Sequence, residues 1–332
     1  MTERYAEIDW IKVAGIFAVL VIHTLRAPWN ASASETEQFL NQQLRFAVPG
    51  FLFCSGFLYA RTAAFDWRVT GARLRRILVP YLVASLGAEV YRAVESSPRT
   101  AGEVAFNLLT GNSFGHYYYV FIIVVLVAST PVIARFGRTG VHAIIAVTMT
   151  FQFISTILDA LGAGFALRFE SNYWIFRSPL LWWNFFAFGW LVREHHQAFR
   201  SWVAERRRGL AAGLLVIFVL LGAAWVAFSS PIVRGLGAWL QIFCILSLIL
   251  ALSAGRTTRS VIAARISDAT YAVYLFHLFF LFPVEPYFPH VKGEFDPLVI
   301  VFRIVPALIG SFLFIALARK VLGERSRLWL GA

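Results

Sequence analysis

Charge is what this chain has least of. Asp, Glu, Lys and Arg make up only 14% of its 332 residues, where soluble domains carry about 25%. With 59% hydrophobic residues and a mean hydropathy of +0.68, no soluble domain of useful size is left over. Cysteine is nearly absent. Cys54 and Cys244 lie in apolar segments too far apart to form a metal motif, and they say nothing about redox compartment. Lysine is scarce as well, 3 residues against 27 arginines. No internal repeat and no low-complexity tract is present. A cleavable signal is not expected at the N-terminus, because acidic residues flank Arg4 and no A-x-A-like site follows the first apolar run.

What the chain does have is a series of long apolar segments. Ten can be marked, at 8–27, 41–60, 77–95, 117–134, 140–158, 178–192, 209–228, 233–254, 268–285 and 298–318. The expected fold is all-α: a polytopic membrane helical bundle of about ten transmembrane helices, forming one domain over residues 1–332 with no fused soluble domain. With the N-terminus placed in the cytoplasm, 20 of the 30 basic residues fall on the inner side and 7 on the outer. That excess predicts both termini inside. The net charge of +12, which could suggest nucleic acid, is then topology and attraction to anionic lipid.

The segment Ile8–Leu25 carries three groups that a lipid-facing helix should not have: Asp9, Lys12 and His23. At about 100° per residue, the step from Lys12 to His23 returns within roughly 20° of the same direction, and that from Asp9 to His23 within roughly 40°. All three share one stripe, with His23 roughly 16 Å along the axis from Lys12. Charged groups inside a membrane usually face a protein interior or a water-filled cavity, so the helix reads as one wall of a polar chamber. Asp9 and Lys12 could instead mark the membrane interface, and a His in an apolar segment is often only a hydrogen-bonded structural group.

Other polar positions stand out along the chain. Pro49 through Phe57 places a Pro and two Gly in one membrane segment, which suggests a bend or close helix contact, and Ser55 there could hydrogen-bond across helices. Arg73 and Arg76, three apart, share a helix face. They suit phosphate oxygens, or serve as ordinary positive-inside anchors. His116 sits beside Tyr117, Tyr118 and Tyr119 at a membrane edge, as an aromatic belt or as contacts for a polar substrate. The outer loop 159–178 offers Asp159, Arg168, Glu170 and Arg177. The run Arg193-Glu194-His195-His196 resembles a metal tract only superficially, since adjacent histidines on a helix diverge by about 100°, and no metal is expected. Arg206, Arg207 and Arg208 read as a stop at the inner interface. Tyr271, Tyr274 and His277, at intervals of three, form a polar seam inside an apolar helix, suited to helix–helix association or to contact with substrate.

Taken in order, four of these motifs resemble the acyltransferase-3 family of integral membrane acyltransferases, over nearly the whole chain. They are Asp9-x-x-Lys12 followed by His23 after a ten-residue gap, Pro49–Phe57, Arg73-x-x-Arg76 before Pro80, and Tyr271-x-x-Tyr274-Leu275-x-His277. Two departures are visible. Lys12 stands where Arg is common in the family, and Gly115 through Val120 lacks a tryptophan often found there. The resemblance implies transfer of an acyl group, commonly acetyl, from cytoplasmic acyl-CoA to a hydroxyl of a glycan, a lipid-linked sugar or another envelope or secreted acceptor. It implies a multi-pass protein of the inner (plasma) membrane. The family's histidine maps onto His23, its basic partner onto Lys12 and its double arginine onto Arg73 and Arg76.

The catalytic candidates are therefore His23, Asp9 and Lys12. The candidates for holding acyl-CoA are Arg73, Arg76 and Lys12, and those for contacting the acceptor are Ser55, His116, Tyr118, Tyr271, Tyr274 and His277. The partners expected are the lipid bilayer, acyl-CoA, a glycan or lipid-linked acceptor, and a second copy of the chain in a homodimer; nucleic acid is not among them. A different class remains open on the residues alone. Polar groups on membrane helices also mark the pathways of transporters and flippases, although the inverted repeats that would favour this reading are not found.

Overall fold

Proline and glycine decide where the helices of this chain stop and how closely they approach. The computed structural model describes residues 4–25, 33–60, 67–95, 99–160, 174, 177–228, 230–254, 260–289 and 294–331, and among these no strand occurs. Its helices are α1 (Ala6–Thr24), α2 (Glu35–Leu44), α3 (Ala47–Tyr59), α4 (Trp67–Glu95), α5 (Ala101–Thr110), α6 (Tyr118–Ala134), α7 (Gly137–Ala160), α8 (Pro179–Glu194), α9 (His196–Ala227), α10 (Pro231–Ser253), α11 (Val261–Leu281), α12 (Pro297–Leu322) and α13 (Arg325–Trp329). A short 3₁₀ turn, Gly115–Tyr117, leads into α6.

Among the described residues, each of the ten expected apolar segments lies mainly on helix. Among the described residues, six helical stretches are long and apolar enough to cross a membrane: Trp67–Glu95, Gly115–Ala134, Gly137–Leu158, His196–Ala227, Ile232–Ser253 and Pro297–Leu322. The other four depart from that standard for visible reasons. α1 carries Glu7, Asp9 and Lys12 within its 19 residues. α3 has only 13 residues and α8 only 16. α11 is interrupted by Arg265, Asp268 and His277.

The expected segment 41–60 is two helices rather than one. Ser34 and Glu37 form a capping box that starts α2, and the chain turns at Arg45 and Phe46 before α3 begins. Pro49 explains the break. In a continuous helix its ring would clash with the carbonyl of residue 45, whereas in the first turn of a new helix its missing N–H costs nothing.

The chain divides into two compact units: Met1–Ala63, Arg138–Ser267 and His290–Asp296 in the first, Ala64–Gly137, Asp268–Pro289 and Pro297–Ala332 in the second. In the first unit, α3 packs along α8 and against α1, and α9 packs along α10. The α3–α8 contact is backbone against backbone. A methyl group added at Gly56 would fall on the carbonyl oxygen of Phe186, and one added at Gly189 on that of Phe53. Small residues permit this approach, which lets van der Waals packing hold membrane helices together without a hydrophobic drive. Gly50 continues the pattern, with Ile11 of α1 and Leu246 of α10 at 3.1 and 3.3 Å from the position its Cβ would take. Around these crossings Ile11, Leu52, Phe57, Phe185 and Phe186 are fully enclosed. Between α7 and α8, Gln152 donates to the Leu181 carbonyl and accepts from Asn184 at 2.9 Å.

In the second unit α4 packs against α6 and α5. Tyr81 of α4 donates to the Leu108 carbonyl of α5 at 2.7 Å. The buried Glu89 accepts from Asn107 at 3.2 Å and pairs with Arg99 at 3.3 Å. Further along, Arg303 of α12 donates to the Phe288 carbonyl at 3.0 Å and lies 3.4 Å from the Glu285 carboxylate.

Gly56→Ala or Gly189→Ala is expected to destabilise the first unit by about 3 kcal/mol or more, because backbone rather than a movable side chain must yield. Gly71→Ala, on open helix surface where an added Cβ meets nothing within 4 Å, should be neutral or stabilise by up to about 1 kcal/mol. Thermal unfolding of the three variants in one detergent checks both.

Candidate active site

The charged stripe of α1 survives in the structure. Asp9 is 5% exposed, Lys12 and His23 are half-buried, and Phe17, on another face, is open. The carboxylate of Asp9 has Arg4 at 3.8 Å, and the same guanidinium donates to the Ala264 carbonyl at 2.9 Å. Asp9 therefore has a cation just outside the helix. On the facing side, the Cys54 thiol of α3 points at the Ile8 carbonyl at 3.9 Å. His23 stands in the last turn of α1. Next to it, the hydroxyl of Thr24 is turned back on its own helix, onto the Val21 carbonyl at 2.7 Å. Ser55 does likewise, donating to the Phe51 carbonyl at 2.9 Å, so its proton is committed within α3 while its lone pairs remain.

At the start of α1 lies a cluster the motifs did not signal. His196 meets the Glu7 carboxylate at 2.5 Å. Arg193 bonds the Tyr5 hydroxyl and lies over the rings of Tyr5 and Phe57, 4.5 and 5.4 Å from their centroids. The basic run at 193–196 thus clamps the N-terminal turn of α1, while Glu194 pairs with Trp190 and Arg138. Gln241 of α10 belongs to no motif either. It is 1% exposed, and neither of its amide atoms has a hydrogen-bond partner among the described residues. A lone amide in the apolar stretch 233–254 was the available signal.

The remaining candidates belong to the second unit. Arg73 and Arg76 lie within α4, which begins a full turn before them, so their shared face is real helix. Arg73 is half-buried and Arg76 exposed. Four residues on, Pro80 supplies no N–H and disturbs the turn before it. The carbonyl left without its donor is that of Arg76, and the hydroxyl of Tyr271 donates to the next one, Ile77, at 2.7 Å. Tyr271 therefore supports the turn that carries Arg76.

His116, Tyr274 and His277 come together and are almost wholly enclosed. His116 Nε2 faces the Tyr274 carbonyl at 3.0 Å, and the Tyr274 hydroxyl donates to the His116 carbonyl. Tyr117 donates to the Leu275 carbonyl at 2.7 Å. His277 Nδ1 faces the Val273 and Tyr274 carbonyls at 3.2 and 2.9 Å. A carbonyl only accepts, so the facing nitrogen carries the proton in each ring, Nε2 in His116 and Nδ1 in His277. The seam locks the start of α6 to α11. Tyr118, beside it, is half-buried.

The candidates thus divide between the units, with Asp9, Lys12, His23 and Ser55 in the first and Arg73, Arg76, His116, Tyr118, Tyr271, Tyr274 and His277 in the second. The side chain of Asp159, together with Arg168 and Glu170, lies outside the described residues, while Arg177 is buried. Among the described residues, no three His, Cys, Asp or Glu are placed to hold a metal ion. What the first unit offers chemically is an imidazole and an ammonium on one stripe. What the second offers is a pair of guanidinium groups on a supported turn.

A family model described as an acyltransferase domain, of the acyltransferase-3 type, matches residues 5–316. No curated protein and no solved structure matches the chain.

Tyr271→Phe removes one interhelical hydrogen bond without changing the ring. It should cost about 1 kcal/mol and increase amide exchange in the turn around Ile77, measured by hydrogen–deuterium exchange in detergent.

Proposed function

The chain belongs to the acyltransferase-3 family of membrane acyltransferases, and from that premise we propose that it moves an acyl group, acetyl in the simplest case, from acyl-CoA to a hydroxyl of a glycan, glycolipid or other envelope or secreted acceptor. The observation that carries this reading is the stripe on α1. An imidazole and an ammonium lie half-buried on one face of an otherwise apolar helix, in a chain whose family match spans residues 5–316.

An acceptor hydroxyl is a poor nucleophile at neutral pH and needs a base within hydrogen-bond reach. An imidazole ordinarily titrates near pH 6.5, so His23 can serve. The hydroxyl oxygen attacks the thioester carbonyl carbon and its proton passes to His23. The carbon–sulfur bond then breaks, and His23 returns the proton to the departing coenzyme A thiolate. Arg73 and Arg76 hold the phosphates of acyl-CoA through their guanidinium forks. Lys12 contributes a point charge, either to a phosphate or to Asp9. All ten apolar segments cross the membrane in this reading, with both termini in the cytoplasm and the protein in the inner membrane.

Thiol release from acetyl-CoA by the purified protein, with and without a crude envelope extract, tests the proposal. Wild type should release thiol only when extract is present. His23→Ala should lower the rate about 10² to 10⁴-fold with an unchanged elution profile. Arg76→Gln should raise KM for acetyl-CoA and leave kcat nearly unchanged. Full turnover by a folded His23→Ala protein would remove His23 from the chemistry. Absence of thiol release in every arm would remove the acyl-CoA donor.

A further inference from the structure

The phosphates of coenzyme A ask for more charge than two guanidinium groups supply. A diphosphate and a 3′-phosphate together carry roughly four negative charges at neutral pH, and Arg73 and Arg76 balance half of that. Other cations stand in the second unit: Arg68 and Arg75 on α4, Arg319 and Lys320 in the last turn of α12, and Arg325 and Arg327 on α13. The seating of α13 singles out Arg327.

The face that bears Arg73 and Arg76 can be followed along α4. At about 100° per residue, Arg76 and Arg73 project within roughly 40° and 20° of Pro80, whereas Arg68 and Arg75 project about 120° and 140° away. Pro80 therefore marks the arginine face, and Gly331 sits against it. A methyl group added at Gly331 would stand 3.6 Å from Cβ of Pro80 and 2.8 Å from Cδ1 of Tyr271, the residue that supports this turn. The φ of Gly331, 70°, is one that glycine adopts without strain.

Gly331 directly follows α13, which packs against both α12 and α4. Ser326 and Leu330, one turn apart, are the enclosed side of α13. The Ser326 hydroxyl returns to the Gly323 carbonyl at 2.7 Å, and the Leu330 amide donates to the Ser326 carbonyl at 2.9 Å, so helical spacing runs to Leu330. One turn before Gly331, Arg327 projects within about 40° of it, whereas Arg325 projects about 120° away. Arg327 is exposed, and its side chain has no ion pair or hydrogen bond with any described residue. Arg76 lies about 6 Å along α4 from Pro80, and Arg327 about 6 Å along α13 from Gly331. With Gly331 against Pro80, the two arginine Cα atoms are at most about 20 Å apart. Two extended arginine side chains and a nucleotide diphosphate between them close that gap.

We propose that Arg327 is a third guanidinium for the phosphates of acyl-CoA, carried to Arg73 and Arg76 by the seating of Gly331 on Pro80. The proposal rests on acyl-CoA being the donor. It separates Arg327 from Arg325 on the same short helix. An arginine that merely anchored α13 to lipid phosphate would act no differently from its neighbour.

The test is calorimetric titration of the full chain in neutral detergent at about 0.15 M salt. Charges farther than about 8 Å from the bound phosphates are largely screened there, so a loss of affinity reports contact. Arg327→Gln should bind coenzyme A roughly ten-fold more weakly than wild type, with unchanged thermal unfolding. Arg327→Lys should recover part of the loss, since it keeps the charge without the fork, and Arg325→Gln should bind like wild type. Phosphatidylglycerol in place of coenzyme A should not distinguish Arg327→Gln from wild type. The proposal is overturned if Arg327→Gln binds coenzyme A like wild type, if Arg325→Gln weakens binding equally, or if Arg327→Gln loses the lipid instead. Each of these results leaves the acyl-CoA donor in place. Failure of wild type to bind coenzyme A at all would remove the donor, and this site with it.

Discussion

A polar atom on a membrane helix has no water to turn to, and that constraint decides where many of the described hydroxyl side chains point. The hydroxyls of Thr24, Ser55, Thr130 and Ser311 return to carbonyls of their own helices. Those of Tyr81, Tyr117 and Tyr271 reach carbonyls of neighbouring ones. The second use ties helices together, each bond contributing about 0.6 kcal/mol and up to about 1.7. Without it, the apolar surfaces of α4, α6 and α11 would meet lipid as readily as one another.

Against this background the departures carry meaning. Lys12 and His23 are half-buried on an otherwise apolar helix. A charge kept in such a place requires a protein interior or a wet cavity beside it, and an acyltransferase provides the reason to keep one.

Some elements were legible in the residues and others were not. The apolar segments were, because each runs long enough to be read without knowing its neighbours. The alignment of Asp9, Lys12 and His23 was legible because helical periodicity is a local property. The break between α2 and α3 was hidden. Arg45, Phe46 and Ala47 read as part of one apolar run, and only the position of Pro49 relative to the carbonyl of residue 45 separates them. The clamp of Arg193 and His196 on Tyr5 and Glu7 was hidden too, since nearly 190 residues separate the partners.

Composition and periodicity by themselves determined that the chain is helical, membrane-embedded and equipped with a polar stripe, because transfer from water to lipid acts on each segment separately. Tertiary structure alone decided what the polar groups do. Tyr271, Tyr274 and His277 form one seam at intervals of three, yet Tyr271 supports the turn broken by Pro80, whereas Tyr274 and His277 lie in the lock around His116. The reason is that a hydrogen bond needs its partner at about 3 Å, and sequence spacing places a side chain on a face without saying which carbonyl will stand opposite.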